Sequence, residues 1–388
     1  MDASLAKRIL QYLKAKRSEM QAFLDELVRL ESPSTVAAAQ EAGFALLAER
    51  FRALDCVTLH LPGTKTGGSL YARPFLHEKH QPTQLLLGHV DTVWPLGTLA
   101  EMPSETAGDM MRGPGVYDMK AGLAQMLFSW QCLQELELIP EVLPLFFINS
   151  DEEIGSWESR GYIGRLARIA DRAFVLEPSL GREGKLKTAR KGIGRFTLKL
   201  TGEPAHAGLD PGKGASAIVE LANLVQQLFA LNDLEKGVSV NVGMIEGGVR
   251  ANVVAPASSA VVDVRVPTQV EADRITEAIF GLKPANPAVK LEVDGFIGRP
   301  PLERTPRNRQ LWQRAQQAGQ ALGLQLEEAM AGGGSDGNTT SLFTATLDGL
   351  GAVGDGAHAR HEFIYLDQLL ERTALLCLLM ISPPLTPS

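Results

Sequence analysis

The stretch NSDEEIGS, residues 149–156, sets Asp151, Glu152 and Glu153 side by side directly after the apolar run LPLFFI. Like charges repel, and taking them out of water costs several kcal/mol or more without compensation. A solvated acidic loop is the ordinary reading, but the buried-looking run before it argues for a positive partner. Neighbours on an extended strand point to opposite faces, whereas a chain that turns at a strand end can aim both at one place. One carboxylate can then hold a metal ion while the other takes a proton from a water on it. Glu152 and Glu153 can each take either part, with Asp151 a solvated neighbour.

Further ligand-type residues stand at predicted strand ends and turns. GHVDTV carries His89 and Asp91, GPGVYDMKAG carries Asp118, VLEPS carries Glu177, and GDGAHARHEF carries His358 and His361. In an extended strand, residues i and i+2 share a face. Asp91 can therefore accept the second ring N–H of a metal-bound His89, fixing its tautomer. Each residue also has a plain reading: a polar pair capping a strand, a helix N-cap at Asp118, a strand-end carboxylate at Glu177, a loop histidine at His358. The ordered set is what points to a site. Histidine with carboxylate suits zinc or a similar borderline metal.

Such residues need elements to hold them. Residues 4–30 and 37–54 read as two amphipathic helices, 84–89 as an apolar strand, and 119–136 as a helix. A buried strand over 142–150, a helix in ESRGYIGRLARIA and a strand over 172–178 follow. Strands alternating with helices predict an α/β layer with a largely parallel sheet between helices, whose sites form at the carboxyl ends of strands. After about residue 187, Ile193, Phe196, Leu198 and Leu200 mark a half-exposed strand. Helix 215–230, strands 238–246 and 258–266, helix 269–281 and strand 288–296 complete a ferredoxin-like α+β order. The chain then returns to helix and strand and ends in helix 367–381. The expected organisation is an α/β domain over 1–187 and 301–388, interrupted by a smaller insert over 188–300.

Composition narrows the class. The 388 residues are 45% hydrophobic and 21% charged, as in an ordinary globular protein with a substantial core. A formal net charge of −7, with no basic cluster, argues against nucleic-acid binding. Cys56, Cys132 and Cys377 form no CxxC and read as reduced core residues. No signal-peptide core or membrane-length apolar run is visible, so a cytoplasmic protein without membrane partner is expected. His60, His77 and His80 sit in a polar stretch and read as exposed surface residues.

In order, GHVDTV, GPGVYDMKAG, DEEIGS and GAHARHEF resemble the motifs of the zinc aminoacylase and glutamate carboxypeptidase family of co-catalytic metallopeptidases. That family also contains acetylornithine deacetylase and succinyl-diaminopimelate desuccinylase. The resemblance runs over nearly the whole chain and is nearest to the glutamate carboxypeptidase branch. It implies two Zn²⁺ per chain, with Co²⁺ or Mn²⁺ as substitutes. His89 and Glu177 would each hold one ion, Asp118 would bridge both, and Glu153 and His358 would complete the ligands of the second ion. His358 is preferred to His361 because the family's ligand precedes a late acidic residue, here Glu362, by four or five positions. Glu152 would be the general base and Asp91 the orienting group. In the insert, GEPAHAG places His206 and VRANVV places Asn252 at substrate-contacting positions, and Arg265 either contacts substrate or pairs with an acid. Arg299 in GFIGRPP and Gly333 in GGGSDG would also contact substrate. The implied activity is release of a C-terminal amino acid such as glutamate from a peptide or N-acyl conjugate. The alternative is an N-acyl amino acid deacylase of deacetylase or desuccinylase type. The implied assembly is a homodimer through the inserted domain, and the implied partner is a small peptide or N-acyl amino acid.

Overall fold

The computed structural model describes residues 2–75, 78 and 80–385. Strands Thr83–His89 and Leu143–Asn149 are buried almost throughout. Near-continuous apolar runs of this kind belong to strands covered on both faces. They lie inside a six-stranded sheet ordered Cys56–Leu61, Ser69–Pro74, Leu143–Asn149, Thr83–His89, Ala170–Val175, Ala345–Leu347. The last four strands run parallel, and the first two add an antiparallel edge.

Strand periodicity divides the core into two layers. Leu86, Phe146, Ile148 and Phe174 face helices Ala121–Glu135 and Leu366–Met380. Leu85, Leu87, Leu145, Phe147 and Val175 face helix Arg160–Ile169 through Ile163 and Ala167. Each such large side chain contributes about 1.5–3 kcal/mol on burial. Arg172, fully buried, donates to Gln84 Oε1 and to the carbonyls of Met380, Ser382 and Pro383, tying the end of the last helix to the sheet.

Register positions the chemistry. His89 pairs with Asn149, and Leu87 with Val175. The carboxyl ends of three parallel strands therefore finish level, with His89, the 150–153 turn and Glu177 together. A separate antiparallel sheet of Gly354–Asp355, Phe363–Tyr365, Met110–Arg112 and Glu105–Ala107 pairs Phe363 with Arg112. It brings the loop of His358 beside the loop of Asp118.

The chain divides into two compact units. One comprises the chain up to Thr188, Arg304–Ala331 and the chain from Ser335 onward; the other comprises Ala189–Glu303 with Gly332–Gly334. The second unit has strand Gly192–Thr201, helix Ala217–Phe229, strands Ser239–Gly247 and Ala257–Val266, helix Gln269–Phe280 and strand Lys290–Arg299. Its antiparallel sheet is ordered Ser239–Gly247, Ala257–Val266, Gly192–Thr201, Lys290–Arg299, the ferredoxin-like arrangement. Phe196, Leu198 and Leu200 are in its core with Leu221, Leu224, Val262 and Ile275. Ser216 and Thr268 cap the two helices through their hydroxyls.

Two expected boundaries change. Residues 4–30 are two helices, Ala3–Ala15 and Arg17–Arg29, broken at Lys16. The break lets the first pack mainly on helix Leu366–Met380 and the second on helix Ala121–Glu135. The strand expected over 172–178 is Ala170–Val175, because Leu176 to Ser179 form the turn that carries Glu177. The three cysteines are buried and free. Among the described residues, no helix is long and apolar enough to cross a membrane.

Candidate metal centre

His89 is 1% exposed at the end of its strand, with two carboxylates against its Nε2. Asp118 Oδ1 stands at 3.3 Å and Glu177 Oε1 at 3.5 Å. His358 faces the other side of the same Asp118. Its Nε2 lies 3.5 Å from Asp118 Oδ2 and 3.1 Å from Glu153 Oε2. Asp118 thus turns one oxygen to each histidine. Glu152 joins His89 and Glu177 in one group of converging donor atoms, and Glu153 joins His89 and Asp118 in another. The five residues expected to hold metal and Glu152 lie together.

Local structure explains the aim of each. Asp118 lies in a distorted turn, Val116–Lys120, with extended backbone at φ −114° and ψ 96°. It does not cap a helix, since the next helix starts at Ala121. His358 is left-handed at φ 61°, an uncommon conformation for a residue with a Cβ and one that recurs at functional sites. Its neighbour His361 lines a cavity of about 440 Å³ that also includes Asp118, Tyr117 and Lys187.

Asp91 is fully buried and serves several partners. Its carboxylate accepts from the Ser34 hydroxyl at 2.7 Å and from the amides of Glu152 and Glu153 at 3.3 and 3.2 Å. His89 Nδ1 is 2.9 Å from the Asp91 carbonyl and 3.4 Å from its carboxylate. The nearer acceptor for His89 is therefore the Asp91 backbone rather than the expected side chain, because the carboxylate is engaged by the Glu152–Glu153 turn.

Asp151 is a correction. It is 1% exposed rather than solvated, and it accepts from the amides of Glu158 and Ser159 at 2.7 and 3.2 Å. Those amides precede helix Arg160–Ile169 and need an acceptor. Sequence reading also passes over Glu362 as a structural partner. It is buried and accepts four hydrogen bonds from Trp94, Gly115, Tyr117 and Asp118. Its signals in the sequence are its place as the late acidic residue after His358 and its being an acid in the apolar HEFIYL run.

The electrostatics follow from this crowding. Burial pulls the His89 imidazole down, but Asp118, Asp91 and Glu177 outweigh it and hold the group well above its ordinary value. His358 is pushed up to about 10 by Asp118 and Glu153. Burial opposes ionisation of Asp118, yet the two histidines hold it well below the usual carboxylate range. Glu153 is raised, first by burial and then by Asp118, against the pull of His358. Burial raises Glu362 to about 7 despite its four donors.

These residues fit a pair of divalent ions. His89 Nε2 is buried with no hydrogen-bond partner. Two tetrahedral ligand atoms about 2.0–2.1 Å from one ion are roughly 3.3 Å apart, a separation that follows from ordinary zinc–ligand distances. The four nitrogen–oxygen separations, 3.1 to 3.5 Å, lie around that value. The nitrogen and oxygen donors suit a borderline metal.

The residues expected at substrate lie in the second unit. His206 and Asn252 are exposed on neighbouring segments, joined by the Ala207 amide to the Asn252 carbonyl at 3.0 Å. His206 Nδ1 accepts from the amides of Gly208 and Leu209. Arg299 ends strand Lys290–Arg299, half-buried. Gly333 is exposed, and its carbonyl accepts from Arg190. Arg265 pairs with Asp263 at 2.8 Å. His60 and His80 are exposed, and His77 lies outside the described residues.

Comparison with known proteins places the chain in a family. The family model described as "Peptidase family M20/M25/M40" matches residues 85–382. Carboxypeptidase G2 of Pseudomonas sp. (strain RS-16) is 28% identical over 296 residues, 74% of this chain and 71% of that protein. Aminopeptidase PepT from Bacillus cereus has a similar fold, with a TM-score of 0.78 at 21% identity over 94% of this chain and 98% of that one. The Bacillus subtilis YXEP protein, described as a dinuclear metal binding peptidase, superposes with a TM-score of 0.71 at 14% identity over 95% of this chain and 98% of that one. With most of its length matched and the metal-ligand constellation assembled, this chain belongs to peptidase family M20/M25/M40 and is a metallopeptidase-type hydrolase.

Proposed function

We propose that the protein is a di-zinc hydrolase that releases a C-terminal amino acid, such as glutamate, from a peptide or N-acyl conjugate. The observation that carries this reading is Asp118, whose two oxygens face two separate histidine–carboxylate groups. In this reading His89 and Glu177 would hold one ion, Glu153 and His358 would hold the other, and Asp118 would be a ligand as well. When bound, such an ion pair supplies Lewis-acid polarisation of a carbonyl and makes a water more acidic. Glu152 accepts a proton from the attacking water on its carboxylate and returns it to the nitrogen of the leaving amine. Asp91 fixes the turn that holds Glu152 and Glu153, because both amides end on its carboxylate.

Similarity to a protein named Carboxypeptidase G2 supports the carboxypeptidase side of the reading. We assign oxyanion stabilisation to His206 and substrate contacts to Asn252, Arg299 and Gly333. An arginine can bind a terminal carboxylate through paired hydrogen bonds.

The test has two parts. Metal analysis of the purified protein is expected to find close to two equivalents per chain. Peptides with free C-termini are expected to be cleaved and their amidated forms spared, with Arg299→Ala weakening the preference. A stable, folded protein without metal would overturn the centre. Equal turnover of free and amidated substrates would favour a deacylase or an aminopeptidase.

A further inference from the structure

Glu362 lies outside the donor set, yet it touches both loops that carry the second histidine–carboxylate group. Its Oε1 accepts from the amides of Tyr117 at 2.9 Å and Asp118 at 3.0 Å. Its Oε2 accepts from the Gly115 amide and the Trp94 indole, each at 2.9 Å. The residue is 1% exposed.

On its own loop, Glu362 closes a tight turn after His358. The Ala359 amide donates to Gly356 at 2.8 Å, and the Glu362 amide donates to Ala359 at 3.0 Å. The next residue, Phe363, is fixed opposite Arg112 in the small sheet. The opposite loop has little regular structure of its own. Gly113 and Gly115 stand at φ 151° and 73°, and Asp118 leaves helical geometry. Left-handed His358 adds a conformation that only its surroundings hold in place. A backbone so irregular needs an outside acceptor for its amides. One carboxylate supplies it to three residues in a row of four.

We propose that Glu362 is a positioning residue that sets the separation between Asp118 and His358 and so tunes the second metal position. The proposal rests on the reading of those two residues as ligands. It differs from a purely structural role, in which Glu362 would stabilise the fold and leave metal binding unaltered. Groups that orient metal ligands typically change affinity ten- to a hundredfold when removed, and the same range is expected here, about 10–100-fold.

The test uses the full-length protein and compares wild type with Glu362→Gln, which keeps size and removes the charge. Zinc affinity is measured by chelator competition, and the ligand field by the visible spectrum after Co²⁺ replacement. Circular dichroism and melting of the metal-free protein report the fold. The expected result is a folded variant that binds the first ion as wild type, binds the second about 10–100-fold more weakly, and has a shifted Co²⁺ spectrum. A folded Glu362→Gln with wild-type affinity for both ions and an unchanged spectrum overturns the proposal, even if its melting temperature falls. A wild-type protein that binds no metal overturns the reading of the centre itself, a different failure visible before any variant is made. Should Glu362→Gln not fold, Trp94→Phe decides. It removes one side-chain donor, and a smaller loss of second-ion affinity with a shifted spectrum supports the clamp, while wild-type values for both overturn it.

Discussion

His89 is a buried imidazole whose proton balance is set by acids rather than by water. Burial disfavours its charged form, and three carboxylates restore it. The Nε2 left without a hydrogen-bond donor or acceptor of good geometry is the atom a metal would take. Glu152 lies in the same group of converging donor atoms, and the proposed reading makes it the base rather than a ligand. Its replacement separates binding from catalysis. Glu152→Gln is expected to keep two metal equivalents and the wild-type melting temperature within a degree or so. Turnover should fall by about a hundredfold to ten-thousandfold, the usual contribution of a positioned base. Metal analysis beside steady-state kinetics checks this, and near wild-type kcat would remove Glu152 from the role. The ligand-type residues were legible because each stands at a strand end or turn, where type and place coincide. Asp151 and Glu362 were not legible. The partners of Asp151 and three of the four partners of Glu362 are backbone amides, and all four of Glu362 lie more than two hundred positions away in sequence. No residue type announces such a contact.

The turn that carries Glu177, just beyond strand Ala170–Val175, is held between two glycines. A Cβ on Gly122 would meet the Leu176 carbonyl at 2.1 Å, and one on Gly351 would meet the Glu177 carbonyl at 2.5 Å. The first turn of helix Ala121–Glu135 can approach the strand end only because Gly122 has no side chain. Gly122→Ala is expected to cost about 1–3 kcal/mol by overpacking and to weaken metal binding by displacing Glu177. Thermal melting and chelator competition measure the two effects, and an unchanged affinity would show that the strand end absorbs the shift. A second tie joins the turn of Glu152 and Glu153 to the glycine-rich loop at 62–68. Glu158 accepts from the Thr64 amide at 3.0 Å, the Lys65 amide at 2.9 Å, the Thr66 hydroxyl at 2.8 Å and the Thr64 hydroxyl. Burial alone would raise its carboxyl, but these donors outweigh it and hold the pKa at about 2. A folded-state value below the unfolded one contributes stability that is complete above about pH 4.5 and lost as pH falls toward 2. Glu158→Gln should therefore cost about 1–3 kcal/mol at pH 7, and the gap from wild type should narrow steadily between pH 4.5 and 2.5. Denaturant melts at several pH values would test it; a gap independent of pH would dismiss the carboxylate as the source. The parallel sheet and the βαββαβ order were legible from apolar runs and alternation. The break at Lys16 was not, because it has neither glycine nor proline and follows from two packing partners.

The second unit leaves its sheet with two unlike edges. Strand Lys290–Arg299 lies at one end, with Lys290, Glu292 and Asp294 alternating along it. Charges on an edge discourage pairing with another chain. The opposite edge, Ser239–Gly247, is exposed over its second half and presents Met244 and Ile245 at 60% and 57% exposure, with Val249 beyond it at 68%. Nearby helix Ala217–Phe229 packs on this strand and exposes Ile218, Val219 and Phe229. An exposed apolar stretch on an edge strand, with Glu246 the one charge in that strand, is a surface that monomers usually avoid. We propose that a second copy of the chain covers it, giving a homodimer through this unit. Its strand can pair with the symmetry-related strand, since a two-fold interface places the same patch on both sides. The expected mass in sedimentation equilibrium is twice the 41.8 kDa of the chain. Met244→Lys with Ile245→Lys should shift the mass to that of one chain without loss of secondary structure, because neither side chain belongs to the buried core. A wild-type monomer at tens of micromolar would refute the assembly. A double variant that stays dimeric would place the interface elsewhere.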